Sequence, residues 1–203
     1  LWNNATTNAN LSNYVFSNVT NPYQLYGAFD SAAAAGVSNS SQNYIWQGGI
    51  STDWFIGRNW NNGSVPTLLD NATMNASALF PSIINATNAT AWFVTIPNGA
   101  NLTVNASGQL VFNDTQGAGF NSSVFGILNV IGNSTHNATI ESYGSPINYW
   151  NLTTTGLTAS IFLTNATLKE FWSLNLTDAS LRANWTNLLD WGSVSTYGLT
   201  MYG

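Results

Sequence analysis

Fourteen Asn-x-Ser/Thr triplets in this chain carry Ala, Leu, Val or Trp at the middle position, and that pattern constrains the fold more than any other feature of the sequence. On a β-strand, residues i and i+2 share one face while i+1 points to the other. A triplet such as Asn101-Leu102-Thr103 or Asn175-Leu176-Thr177 therefore sets Asn and Thr on an outer face and the apolar residue in a core. The same period-2 writing specifies a polar, acceptor-bearing sheet surface and the packed layer beneath it.

Nineteen such triplets stand in 203 residues, beginning at Asn4, Asn10, Asn18, Asn39, Asn62, Asn71, Asn75, Asn85, Asn88, Asn101, Asn105, Asn113, Asn121, Asn133, Asn137, Asn151, Asn165, Asn175 and Asn184. With 30 Asn and 44 Ser plus Thr in the chain, random placement gives about six or seven. Thirteen of the nineteen end in Thr. N-glycosylation requires an exposed Asn on a chain that leaves the cytoplasm. Asn-rich turns alone predict neither the excess nor its spread along the whole chain, so all nineteen are read as glycan acceptors of an extracellular protein.

Charge is scarce: three Lys plus Arg against eight Asp plus Glu, 5 % of the residues. Soluble domains ordinarily hold about 25 % charged residues, so covalent sugar is the expected source of wetting. Few carboxylates also mean little proton linkage, and stability is expected to vary little with pH. A nucleic-acid partner needs several cationic phosphate contacts and is excluded by three basic residues. There is no Cys, so disulfides and thiolate metal sites are ruled out. Nine Trp, ten Phe and eight Tyr provide bulk for a core without cross-links. The opening Leu1-Trp2 reads as a mature terminus left after signal-peptide removal. No run approaches the ~18 apolar residues of a membrane span, and a soluble or surface-tethered extracellular chain is expected.

Alternating apolar runs separated by Gly, Asn, Ser and Pro dominate the chain. Strands are expected at Tyr44–Gln47, Asp53–Ile56, Trp92–Ile96, Ala100–Val104, Gln109–Phe112, Val124–Ile131, Ala138–Tyr143, Ile147–Leu152, Leu157–Thr164, Leu168–Leu176 and Val194–Tyr202. Pro97-Asn98-Gly99 marks a hairpin or a strand corner. This is an all-β pattern, with a β-sandwich as the first expectation and a short β-solenoid as the alternative. One helix is expected near residues 178–190, capped by Asp178, with Leu181, Trp185, Leu188 and Leu189 on one face and Gly192 beyond its end. A weaker helical stretch covers Phe29–Gly36. Residues 1–21 form a polar, triplet-bearing extension, and residues 22–203 form one β-rich domain.

The segment Trp46-Gln-Gly-Gly-Ile-Ser-Thr-Asp-Trp54, followed by Asn59-Trp60 and Pro66, resembles an opening motif that precedes β-solenoid segments in some large secreted surface proteins. Trp46, Trp54 and Trp60 are expected in the core rather than on a sugar-binding platform. His136, the only His, lies in Asn133-Ser-Thr-His-Asn137, with no nucleophile elbow around any Ser. Asp53, Asp114, Glu141 and Glu170 are isolated acids, placed as turn, cap or surface groups rather than as a glycosidase pair. Gly117-Ala-Gly119 lacks the Lys of a phosphate loop, and no calcium-loop pattern occurs. The sequence is read as non-enzymatic, with no cofactor and no metal.

In the N-terminal extension, Leu11, Val15 and Val19 fall on one face and Tyr14 and Phe16 on the other, a buried-strand pattern in a polar segment. Such a strand can complete a neighbour's sheet, and repeated head to tail the contact generates an open filament. Cys-free, almost uncharged, β-rich, filled with Asn-x-Thr triplets and carrying a strand-forming N-terminal tail, the whole chain resembles the subunit of the archaeal thread, a thin, N-glycosylated surface filament of thermoacidophiles. The resemblance implies a pilin-like β-sandwich head completed by the donor strand of an adjoining identical subunit, and roles in adhesion and biofilm contact. The alternatives are an S-layer-associated protein and a secreted adhesin or carbohydrate-binding module.

Overall fold

The structure, a computed structural model, describes residues 41–113, 121–143, 150–189, 193–197 and 200–202. The proposed donor strand, the Phe29–Gly36 helix, the acceptors Asn4, Asn10, Asn18 and Asn39, and Asp114 lie outside the described residues. Among the described residues eighteen strands follow one another: β1 (Asn43–Ile45), β2 (Asn71–Thr73), β3 (Ser82–Ile84), β4 (Ala89–Ala91), β5 (Val94–Ile96), β6 (Asn101–Asn105), β7 (Gln109–Phe112), β8 (Asn121–Val124), β9 (Ile127–Ile131), β10 (Ala138–Ser142), β11 (Trp150–Thr155), β12 (Ser160–Thr164), β13 (Ala166–Lys169), β14 (Phe171–Thr177), β15 (Ser180–Asn184), β16 (Asn187–Leu189), β17 (Ser193–Tyr197) and β18 (Thr200–Tyr202).

From β2 onward the strands fall on three sheets in rotation. The first sheet runs β1-β2-β5-β8-β11-β14-β17, the second β3-β6-β9-β12-β15-β18, and the third β4-β7-β10-β13-β16. Every paired strand is parallel to its neighbours. The described residues therefore wind as a three-sided β-solenoid, each coil resting on the one before it. The all-β expectation holds, but the described residues take the solenoid form in place of the pilin-like β-sandwich. Period-2 alternation fixes which face is buried and is silent about which strand lies alongside.

Register explains the core. On the second sheet Leu102, Leu128, Ile161 and Leu181 pair in succession, as do Val104, Val130, Leu163 and Ala183. On the third, Leu110, Ile140 and Leu168 form a matching column. These aliphatic side chains are buried apart from the half-buried Ala183, each worth about 1.5–3 kcal/mol for the larger ones when fully withdrawn from water. Trp150 packs between Phe112 and Phe171, with ring centroids 5.3 and 5.7 Å away. The interior void lined by Val94, Leu102, Leu110, Leu128, Ile140 and Leu152 measures about 10 Å³, room for about one water. The axis is a packed core.

Corners are made economically in the last coils. Asn165 (φ 43°) alone separates β12 from β13, and Glu170 (φ 57°) alone separates β13 from β14. Asp178 (φ 49°) and Trp185 (φ 50°) turn the chain after β14 and β15. This overturns the helix expected at 178–190: β15 and β16 occupy that stretch, and Asp178 is a corner residue rather than a helix cap. Leu181 and Ala183 point inward while Trp185 is 80 % exposed. The ladder from β12, Ser160 to Ser180 through Thr164 to Asn184, outweighs the local helical spacing. Earlier, Gly126 splits the expected Val124–Ile131 strand into β8 and β9, because a Cβ there would stand 2.4 Å from the carbonyls of Pro97 and Ala100. Pro97-Asn98-Gly99 is a strand corner, with Gly99 at φ 80°, and not a hairpin.

One end of the solenoid is closed by the segment 46–60. Trp46, Trp54 and Trp60 are buried, and Trp60 meets Trp54 and Trp46 edge to face at 4.6 and 5.1 Å. Their placement in the core agrees with the sequence, as does the association of this motif with a solenoid. Trp60 Nε1 donates to the Trp54 carbonyl at 2.9 Å and Trp46 Nε1 to the Phe80 carbonyl at 2.8 Å. Asn59, fully buried, organises the loop: its Oδ1 accepts from the amides of Ile50 and Ser51, and its Nδ2 donates to Ser51 Oγ and the Asp53 carbonyl. Among the described residues no helix is long and apolar enough to cross a membrane.

Candidate functional site: the acceptor-bearing faces

At five places the triplets have the buried centre and open flanks that the period-2 argument requires, three within strands and two, those of Asn88 (φ 66°) and Asn137, beginning just ahead of β4 and β10. Ala72, Ala89, Leu102, Ala138 and Leu176 are buried, while the Asn and Thr on either side of each are partly or fully exposed. These are the triplets of Asn71, Asn88, Asn101, Asn137 and Asn175. The triplets of Asn75, Asn85 and Asn184 depart from the pattern: Ala76 and Ala86 are exposed, and Trp185 is a left-handed, exposed corner.

Exposure divides the acceptors whose side chains are described. Asn62, Asn85, Asn88, Asn133, Asn137, Asn175 and Asn184 are exposed. Asn71, Asn75, Asn101, Asn105 and Asn165 are half-buried. Asn113 and Asn151 are buried, with 6 % and 8 % of their surface accessible. Asn121 lies at the start of β8, in register with Asn151 of β11.

Polar side chains also stack from coil to coil. Asn71 Nδ2 donates to Asn43 Oδ1 at 2.9 Å, Asn129 Nδ2 to Asn101 Oδ1 at 3.0 Å, and Asn137 Nδ2 to Thr167 Oγ1 at 3.0 Å. Ser173 Oγ donates to Asn151 Oδ1 at 2.8 Å. Directly stacked strands lie about 4.8 Å apart, which suits such amide and hydroxyl ladders. Two acceptors are instead held in Asx turns. Asn75 Oδ1 accepts the Ser77 amide, and Asn133 Oδ1 accepts the amides of Thr135 and His136 and the Thr135 hydroxyl. In both, the carbonyl oxygen is engaged by the triplet's own third residue.

The remaining chemical candidates are dispersed. His136 is exposed in the six-residue corner after β9, and its Nδ1 is 2.9 Å from Thr135 Oγ1. Asp53 Oδ1 accepts the Phe55 amide in the N-terminal cap. Glu141 on β10 pairs with Lys169 on β13 at 2.8 Å and accepts a hydrogen bond from Gln109 Nε2. Glu170 forms a left-handed corner. Among the described residues no three His, Asp or Glu converge on a common point where a cation could be held. Along the second sheet a groove is lined by Asn129, Ile131, Phe162, Thr164, Arg182 and Asn184. The sequence reading did not include this groove; the signal was the exposed-face column Asn129, Phe162 and Arg182, visible only once the register is known.

Comparison with protein-family models, curated proteins and solved structures finds no match to this chain.

Proposed function

We propose that the chain is a structural subunit of an extracellular, N-glycosylated surface filament, with the solenoid as a sparsely charged, sugar-coated building block. The observation that carries this reading is the register of the acceptor triplets, with Asn and Thr outward and the central residue in the core at Asn71, Asn88, Asn101, Asn137 and Asn175. Low charge supports it, since 5 % charged residues leave hydration of so large a sheet surface to sugar. In this reading Leu11, Tyr14, Val15, Phe16 and Val19 supply a strand to an adjoining identical subunit, and an outermost strand of a sheet is a natural acceptor for it. The polymer serves adhesion and contact in biofilms.

Negative-stain microscopy of the glycosylated protein, with and without residues 1–20, tests the proposal. Filaments from the full chain that vanish on deletion, and return on adding the 1–20 peptide to a soluble head, support it. A full chain that stays monomeric, or a truncated one that still polymerises, overturns strand donation. Absence of sugar by intact mass overturns the glycoprotein reading as a whole.

A secreted adhesin or carbohydrate-binding module is the second reading, favoured by Trp185, whose exposed ring stands one residue from the groove-lining Asn184. Aromatic faces and groove amides are the usual furniture of sugar recognition. Oligosaccharide binding that is lost in Trp185→Ala would favour this reading, and no binding by the deglycosylated chain would remove it.

A further inference from the structure

We infer that the acceptors whose exposure is clear-cut divide into two functional classes set by the solenoid: exposed acceptors that carry glycans, and buried asparagines that stay bare because the finished fold leaves their side chains no open solvent. The inference rests on the glycoprotein reading above and specifies which sites of the folded protein it applies to. N-glycosylation joins Asn Nδ2 to the anomeric carbon of an oligosaccharide donated by a glycosyl phosphate. The bond from that carbon to the phosphate oxygen breaks, the phosphate leaves with the electron pair, and Nδ2 gives up a proton to the transferase. The product places a polar body many times the size of the amide on Nδ2, so a modified Asn must open to solvent in the finished fold.

Asn151 fails that condition. It lies on β11 between β8 and β14, 8 % accessible, with its Oδ1 receiving the Ser173 hydroxyl from the next coil. Asn113, 6 % accessible, follows β7, and its backbone amide donates to the Ala91 carbonyl of the preceding coil. A sugar on either has no open solvent to occupy, because only 6 % and 8 % of these two residues is accessible. The Asn151 triplet is thus a by-product of a strand pattern that uses Asn as a ladder residue.

Asn133 meets the condition most completely. It stands at the corner loop between β9 and β10, where the coil is widened by several residues relative to the single-residue corner at Asn165. Its Oδ1 gathers three hydrogen bonds from Thr135 and His136. That leaves Nδ2 as the side chain's outward reactive atom. The other exposed acceptors lie beside corners or on outer strand faces, where a glycan projects away from the stack.

Glycopeptide mapping of the full chain, produced in a host that performs N-glycosylation, tests the division, with Thr153→Val and Thr177→Val as controls that delete the triplets of Asn151 and Asn175 without changing either Asn. Occupancy above about one half at the seven exposed acceptors and below about a tenth at Asn113 and Asn151 is the expected result. Thr177→Val should remove one glycan from the intact mass, and Thr153→Val none. Sugar on Asn113 or Asn151 at levels like those of the exposed set overturns the division while leaving the glycoprotein reading intact. Sugar nowhere overturns both.

Discussion

The Trp-rich cap and the last complete coils solve the same problem, closing an apolar interior, by opposite means. In the cap, residues 46–60 run irregularly, and a few side chains do specific jobs: Trp60 wedges against two other indoles, and Asn59 satisfies four polar groups. The coils from β11 to β16 bury large side chains too, Trp150 and Phe171 among them, but set them within a repeating frame. Backbone ladders, aliphatic columns and one-residue corners repeat from coil to coil. Stability there is distributed among neighbours, as in other quasi-one-dimensional folds. The cap concentrates its stabilisation in three or four residues and is correspondingly fragile.

The sharpest way to break the contrast is Trp60→Ala. Losing a buried indole and its hydrogen bond should cost about 3–5 kcal/mol, with hydrogen exchange accelerating first in β1, β2 and β3 and only later in β12 to β15. If exchange rises uniformly along the chain, the cap and the coils form one cooperative unit and the contrast fails. Asn59→Ala comes next, at about 2–3 kcal/mol, because it strips partners from amides and a carbonyl in a closed loop. Its effect should be read by denaturant midpoint at constant slope.

A coil-side change should be smaller. Asn165→Ala places a Cβ-bearing residue without a helpful side chain in a left-handed corner, worth about 1 kcal/mol, and Asn165→Gly should restore most of the loss. Smallest of all is the ionic contribution. The Lys169–Glu141 bridge is partly exposed, its side chains 39 % and 19 % accessible, so Lys169→Met should cost no more than about 1 kcal/mol. With eight acidic and three basic residues in the chain, little proton linkage is available, so stability should decline only slightly as pH falls from 7 to 3. A large drop in the thermal midpoint over that range would reveal an ionic network of a size the eight acids do not suggest.

Much of this was legible in the sequence, and the reason is the triplet register. The expected strands at Gln109–Phe112 and Ala138–Tyr143 match β7 and β10 almost residue for residue, and the buried Trp residues were read correctly. What the sequence hid were the corners and the neighbours. Glu170, Asp178 and Trp185 adopt left-handed conformations that their residue types do not announce, so Leu168–Leu176 looked like one strand and 178–190 like a helix. The coils also differ in length. Ser160 pairs with Ser180, twenty residues on, but Asn129 pairs with Phe162, thirty-three residues on. A fixed repeat never surfaced, and without one parallel stacking could not be told from a sandwich. Acceptor burial was illegible for the same reason, since Asn151 and Asn175 carry the same Asn-Leu-Thr triplet and differ in what lies beside them.

The rotation of strands through three sheets has a consequence for how the chain is built. Each strand from β5 onward adds to a strand already made one coil earlier, so nothing synthesised must wait for residues still to come beyond the next coil. Contacts between successive coils close loops of modest length, the condition for stepwise growth from a template. With the aromatic cap ahead of the coils, a chain emerging through a pore N-terminus first can dock each coil as it appears, and each docked coil bars the chain from sliding back. The fold can act as its own ratchet. Fragments halted at coil boundaries should then acquire protected amides progressively from the cap outward, and an unprotected cap in a fragment ending at Leu189 would rule that order out.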